Sequence, residues 1–235
     1  IINMKKNRGH ARCNAAGLKF LTEKEDFDYV ILMDGDGEDR PEELTLLFNK
    51  SKENPLKMVT ANRIKRTEGV FFKFMYQSHK VLAYIFTGKL IKFGNYVWLP
   101  KIFASKLAKE ACIWSSFSGS VAKIISDSDR TFISSIKGQR YFGPSKMSFF
   151  DLLVHSFSII AVFKHATIVR SALFLIFYLF FVFSNLSIIT LLPVLIILIF
   201  LYFILKISSR ENIEELNNSL DNIIGIDTLL DSNNR

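Results

Sequence analysis

The side chains best suited to chemistry crowd into YVILMDGDGEDRPEEL, residues 29–44. Asp34, Asp36, Glu38 and Asp39 are interleaved with Gly35 and Gly37, directly behind a run of β-formers. Hard carboxylate oxygens at such spacing can hold a divalent cation such as Mg2+ or Mn2+. A cation held there can neutralise charge that develops on a phosphate. Glycines let the backbone of the turn come close to a ligand. An EF-hand calcium loop is excluded: counted from Asp34, its required Gly and Glu positions hold Asp39 and Thr45, and no helix precedes. An acidic turn is also a common solvated turn, so its surroundings must decide.

Those surroundings are cationic. VTANRIKRTEG, residues 59–69, carries Arg63 and Arg66, and residues 138–163 carry Arg140, Ser145 and Lys146. Guanidinium forks match phosphate oxygens, whether on a substrate or on a lipid headgroup. Asp39 is the first candidate for a general base and Glu38 the next; Asp39 could equally orient a phosphate-binding residue or cap a helix. His10, His79, His155 and His165 form no metal-spaced pair. Cys13 and Cys112 match no metal or redox spacing and read as buried thiols in a reducing compartment.

The elements that must position these groups alternate. Helical patterns cover residues 9–22, 41–52, 70–87, 100–109 and 113–125, and strand patterns 28–33, 57–62 and 131–136, with 91–97 extended. Pro41 opens the second helix, with Glu42 and Glu43 near its positive end. Such alternation predicts an α/β sheet, whose ligands sit beyond the carboxyl ends of the strands. Asp34 and Asp36 fall at such an end, after Met33. The opening IIN reads as the tail of a strand, so the chain is expected to begin within a domain.

The apolar residues are concentrated later. No charged residue occurs between Ser171 and Leu205, too long a run for one span. SNLS, residues 184–187, divides it into two membrane helices over about 168–184 and 187–206, with a tolerable Pro193 in the second. Lys164, Arg170, Lys206 and Arg210 flank the outer ends, which places both in the cytoplasm. Residues 148–165 read as an interfacial helix. The dense aromatics of residues 70–76 suggest a helix on the membrane surface or an ordinary core helix. After Ser208 the polar tail reads as one amphipathic helix carrying Ile213, Leu216, Leu220, Ile223 and Ile224. The net charge of +8 suits an anionic partner, and the two spans argue against nucleic acid.

Five segments in order resemble the family-2, GT-A-type glycosyltransferases that act on polyprenyl phosphates, relatives of dolichol-phosphate mannose synthase and of bacterial undecaprenyl-phosphate sugar transferases. They are an N-x-G-H loop at residues 7–10, M-D-x-D-x-[QE]-[DH]-x-P-E at 33–42, R-x-x-R at 63–66, G-[DN]-[FY] at 94–96 and R-x-x-G-x-S-K at 140–146. The resemblance covers residues 3 to about 205. It implies a GT-A-like (Rossmann-like) domain over 1–147 that lacks its N-terminal strand, an interfacial helix over 148–166, a transmembrane hairpin over 167–207 and a cytosolic tail over 208–235. It implies inverting transfer of a sugar from a nucleotide sugar to a polyprenyl-phosphate lipid at the inner membrane. Asp36, assisted by Asp34, would hold Mg2+ or Mn2+; Arg63 and Arg66 would meet donor phosphates; Arg140, Ser145 and Lys146 would meet the acceptor phosphate. The sequence is compatible with a homo-oligomer. Two departures stand out: the family's leading P-x-Y-N-E segment has no counterpart, and Asn95 and Val97 occupy positions where relatives often have Asp and Arg. An inactive, membrane-anchored scaffold is the main alternative. A haloacid-dehalogenase-type phosphatase, D-x-D-G-T after a strand, is disfavoured by Glu38 in place of Thr.

Overall fold

A computed structural model of the chain describes residues 1–65, 70–141, 143 and 148–227, with the backbone alone for residues 65, 70–76 and 149. Arg66, Ser145 and Lys146 lie outside the described residues, as do the aromatic side chains of residues 71–76.

The chain opens with β1 (Ile2–Met4) and passes through Gly9, whose φ of +91° favours glycine, into α1 (His10–Lys24). Strand β2 (Tyr29–Leu32) leads into the acidic turn. Pro41–Glu43 then forms a 3-10 turn ahead of α2 (Leu44–Glu53), so the anticipated single helix is split. Glu43, in that turn, is buried, and its carboxylate accepts bonds from Ser135 Oγ (2.6 Å) and the Ile136 amide (3.0 Å) instead of facing solvent. There follow β3 (Met58–Lys65), α3 (Val70–Thr87), β4 (Val97–Pro100), α4 (Lys101–Leu107), a 3-10 turn at Ala111–Trp114, α5 (Phe117–Ile124) and β5 (Arg130–Ile136). Ser116 caps α5 by accepting from the Gly119 amide.

The main sheet runs β2-β4-β3-β5, with β4 antiparallel to both neighbours and β3 parallel to β5. Strands β2, β3 and β5 therefore point the same way, and β4 enters from the edge where they end. Four connections converge on that edge: residues 33–40, the end of β3, residues 94–96 and residues 137–141. The principal core joins Leu32, Met58, Val97 and Leu99 of the sheet to Ala15 and Leu18 of α1, Leu107, Trp114 and Phe117. Both faces of the sheet are covered, as the alternation of strands and helices predicts.

Beyond the sheet come α6 (Phe149–Ala161), α7 (Lys164–Val182) and α8 (Ile188–Ser208). Helix α6 starts at a capping box made by Ser148 and Asp151. Helices α7 and α8 have 19 and 21 residues and are long and apolar enough to cross a membrane. Their side chains are largely uncovered: Phe180 is 78% and Ile188 90% exposed. Among the described residues the hairpin is buried near its base, where Ile204 and Ile207 pack with Ala83 of α3 and Ile160 and Ala161 of α6.

Two expectations are corrected. The segment after α8 is not one amphipathic helix: α9 (Ile213–Asn217) stops after five residues, a 3-10 turn follows at Ser219–Asn222, and β6 (Ile223–Ile226) pairs antiparallel with β1. Leu216 is fully buried in the principal core, so apolar residues read as one helical face are shared between a core contact and a strand. Of the two cysteines only Cys112 is buried; Cys13, on α1, is exposed.

Candidate functional site

The acidic turn is folded by its own carboxylates. Asp39 Oδ2 accepts from the Asp34 amide (2.9 Å) and Asp36 Oδ1 from the Glu38 amide (3.0 Å). Residues 137–141, leaving β5, lie across the turn: the Gly138 amide donates to the Glu38 carbonyl and the Tyr141 amide to the Asp36 carbonyl, both at 2.9 Å. Glycine is required on both sides of this crossing. A Cβ on Gly138 would lie 2.2 Å from the Gly37 carbonyl oxygen, and one on Gly37, at φ +92°, 2.6 Å from that of Gln139. Tyr96, buried before β4, donates from its hydroxyl to the Arg40 carbonyl (2.8 Å) and closes the turn's far end.

Cationic side chains from the end of β3 and from residues 137–141 meet the acids, as does His10 from the start of α1. Arg63 forks between Glu38 (3.1 Å) and Asp39 (2.9 Å). Arg140 Nε lies 2.5 Å from Glu38 Oε1, and its Nη2 3.3 Å from Asp36 Oδ2. Lys137 also reaches Glu38, at 3.0 Å. His10, at the start of α1, places Nε2 2.8 Å from Asp34 Oδ1, and Asn95 Nδ2 lies 3.5 Å from the other ring nitrogen. The carboxylates divide into two kinds. The side chains of Glu38 and Asp39 are 9% and 4% exposed and fully engaged, whereas those of Asp34 and Asp36 are 31% and 36% exposed.

A sequence model of Glycosyl transferase family 2 matches residues 1–125, more than half of the chain. The chain belongs to glycosyl transferase family 2. No curated protein matches it. The matched stretch of this family-2 protein holds the acidic turn, His10, Arg63 and Asn95. Lys137, Arg140 and the two long apolar helices lie beyond it.

Electrostatics reinforce the division of the family-2 site. Burial raises the Glu38 carboxyl, but Arg140, Lys137 and Arg63 together hold it below the ordinary glutamate value. Burial pushes the Asp39 carboxyl up, against the pull of the Asp34 amide and Arg63. Asp34, despite burial that raises it, is held low chiefly by His10, which in turn is raised by its bond to Asp34. The Tyr96 hydroxyl is pushed up to about 12 by burial and by Glu43 and Asp39 nearby, so it stays protonated as a donor.

Among the described residues no three His, Cys, Asp or Glu side chains are arranged to hold a metal. Asp34 and Asp36 do offer two accessible carboxylates. That is the donor set Mg2+ usually takes from protein when phosphate oxygens and water complete its shell. The residues present fit such an ion.

Of the residues singled out from sequence, Asp34, Asp36, Asp39, Arg63 and Arg140 are brought together. Lys137 was missed, and His10 was read only as part of the N-x-G-H loop, with no partner assigned. A lone histidine has no spacing partner, and Lys137 gains meaning only once β5 is placed beside β3. Asn95 was noted only as a departure from relatives, yet it lies beside His10.

Proposed function

We propose that this family-2 protein is a membrane-bound, inverting glycosyltransferase that moves a sugar from a nucleotide-diphosphate sugar to a polyprenyl-phosphate lipid. One observation carries the reading: two accessible carboxylates, Asp34 and Asp36, stand at the carboxyl edge of parallel strands, ringed by Arg63, Lys137 and Arg140, in a chain that also carries two membrane-length helices. The carboxylates suit a cation, the ring suits phosphates and the helices suit a lipid acceptor.

In this reading Asp36, with Asp34, holds Mg2+ or Mn2+. Such an ion, when bound, would supply positive charge to offset the charge developing on the departing diphosphate. Arg63 supplies positive potential to the donor phosphates from a position fixed by Glu38 and Asp39; Arg66, three residues on in sequence, is assigned the same role. Arg140, Ser145 and Lys146 lie toward the hairpin in sequence and receive the acceptor phosphate. An oxygen of that phosphate attacks the anomeric carbon, and the bond to the nucleoside diphosphate breaks with inversion. A phosphomonoester has a second pKa of about 6, so it arrives largely dianionic and needs no proton removed. Asp39 then serves to orient Arg63 and the turn. Its two hydrogen bonds and burial favour that role over proton transfer.

The flanking Lys164, Arg170, Lys206 and Arg210 favour an inner-membrane hairpin with both ends cytoplasmic. Residues 1–147 form the catalytic domain, joined by the segment after α8 through Leu216 and β6; 148–166 hold the interfacial helix and 167–207 the hairpin. The test is to incubate membranes containing the chain with a panel of labelled nucleotide sugars and undecaprenyl phosphate. Metal-dependent labelling of lipid, lost in Asp36→Ala, supports the proposal. Absence of lipid labelling across the panel, with the protein folded, favours a scaffold without turnover.

A further inference from the structure

The polypeptide returning from α8 enters the catalytic domain and reaches the loop that presents His10. At the base of the hairpin Lys164 meets Glu211 (3.2 Å), whose side chain is only 9% exposed. Four residues on, Glu215 Oε2 accepts from Trp114 Nε1 (2.8 Å) and lies 3.7 Å from Arg8 Nη1 and 3.8 Å from Arg12 Nε. Arg12 spreads over the Trp114 ring, 5.5 Å from its centre. Farther along, the Lys5 amide donates to the Asn222 carbonyl and Lys5 Nζ to the Asp221 carbonyl, each at 2.7 Å, and β6 pairs with β1.

Residues 5–12 are thus held at both ends by the returning segment. Between the two arginines that Glu215 holds stands His10, which meets Asp34. The two ion pairs are long and partly exposed, so each adds little stability. The Trp114 bond and the buried Leu216 anchor the arrangement. The effect of Glu215 is therefore mainly to fix the loop's geometry.

We propose that the segment after the second apolar helix is a positioning clasp for residues 7–10, with Glu215 as its key side chain. The clasp links the hairpin to the acidic turn through Arg8, Arg12 and the loop. Calling the target a donor site rests on the function proposed above; the clasp itself does not.

Hydrogen exchange on the full chain in lipid nanodiscs tests it, read by peptides covering residues 5–13 and 29–40. Glu215→Ala is expected to raise exchange of residues 5–13 about tenfold, with residues 29–32 near wild type. Glu215→Gln, whose amide oxygen still accepts from Trp114, should return toward wild type, while Trp114→Phe should resemble Glu215→Ala. In the lipid-labelling assay Glu215→Ala should raise the donor KM several-fold and leave kcat within about twofold. Wild-type exchange in Glu215→Ala, or a rise spread evenly over all peptides in both Glu215→Ala and Trp114→Phe, overturns the clasp. If no nucleotide sugar labels lipid, the functional reading fails, and the exchange experiment still decides this one.

Discussion

The two halves of the acidic turn use the same functional group for opposite ends. Glu38 and Asp39 are buried, and between them they engage Arg63, Arg140, Lys137 and the Asp34 amide. Asp34 and Asp36 keep about a third of their side-chain surface open. Carboxylates buried against several fixed partners hold structure, whereas Asp34 and Asp36, each with one partly exposed cationic partner, keep surface that a ligand can reach. Residue type and spacing do not separate the two kinds; burial and partners do.

The comparison can be broken by removing one kind at a time. Glu38→Ala leaves three cationic groups without their shared partner. It should cost about 3 kcal/mol in denaturant unfolding, the lower part of the range for breaking a buried pair, because Arg63 and Arg140 retain some solvent. Gly138→Ala forces the strap away from the turn and should cost about 2 kcal/mol by the same measurement, with the acids untouched. Tyr96→Phe removes one hydrogen bond to Arg40 and should cost about 1 kcal/mol. Asp34→Asn should alter stability by less than about 1 kcal/mol, since its pair with His10 is half exposed, yet it should lower metal-dependent labelling.

A pH series sharpens the same contrast. The folded-state carboxyl of Glu38 is depressed, so its stabilisation is complete above the ordinary glutamate range. It is lost as pH falls through that range toward the depressed value. Unfolding measured from pH 7 to well below pH 4 should therefore show a decline, confined to its acid end, that Glu38→Gln flattens.

Much of the site was legible locally. A β-forming run that stops at Met33 and gives way to alternating Asp and Gly declares a strand end and a polar turn within a few residues. Arg63 and Arg140 were legible as cations but not as partners of Glu38, because their meeting depends on β3 and β5 lying parallel across some seventy residues of chain (Thr60 opposite Phe132, for instance). The tail failed for a related reason. Its apolar spacing fits a helix, but the interruption at Asn217 and Asn218 and the pairing of β6 with β1 join opposite ends of the sequence. Cys13 is exposed because α1 buries Ala15, Ala16 and Leu18 instead, a choice of face that a helix with small apolar residues on several sides leaves open.

The proposed role of the accessible pair, Asp34 and Asp36, is to hold a divalent ion against the diphosphate of the donor. Electron paramagnetic resonance of Mn2+ titrated into the full chain in nanodiscs, with UDP and with GDP, tests it directly. The account predicts nucleotide-dependent Mn2+ binding that disappears in Asp36→Asn while the fold is kept. Equal binding in wild type and Asp36→Asn would contradict it.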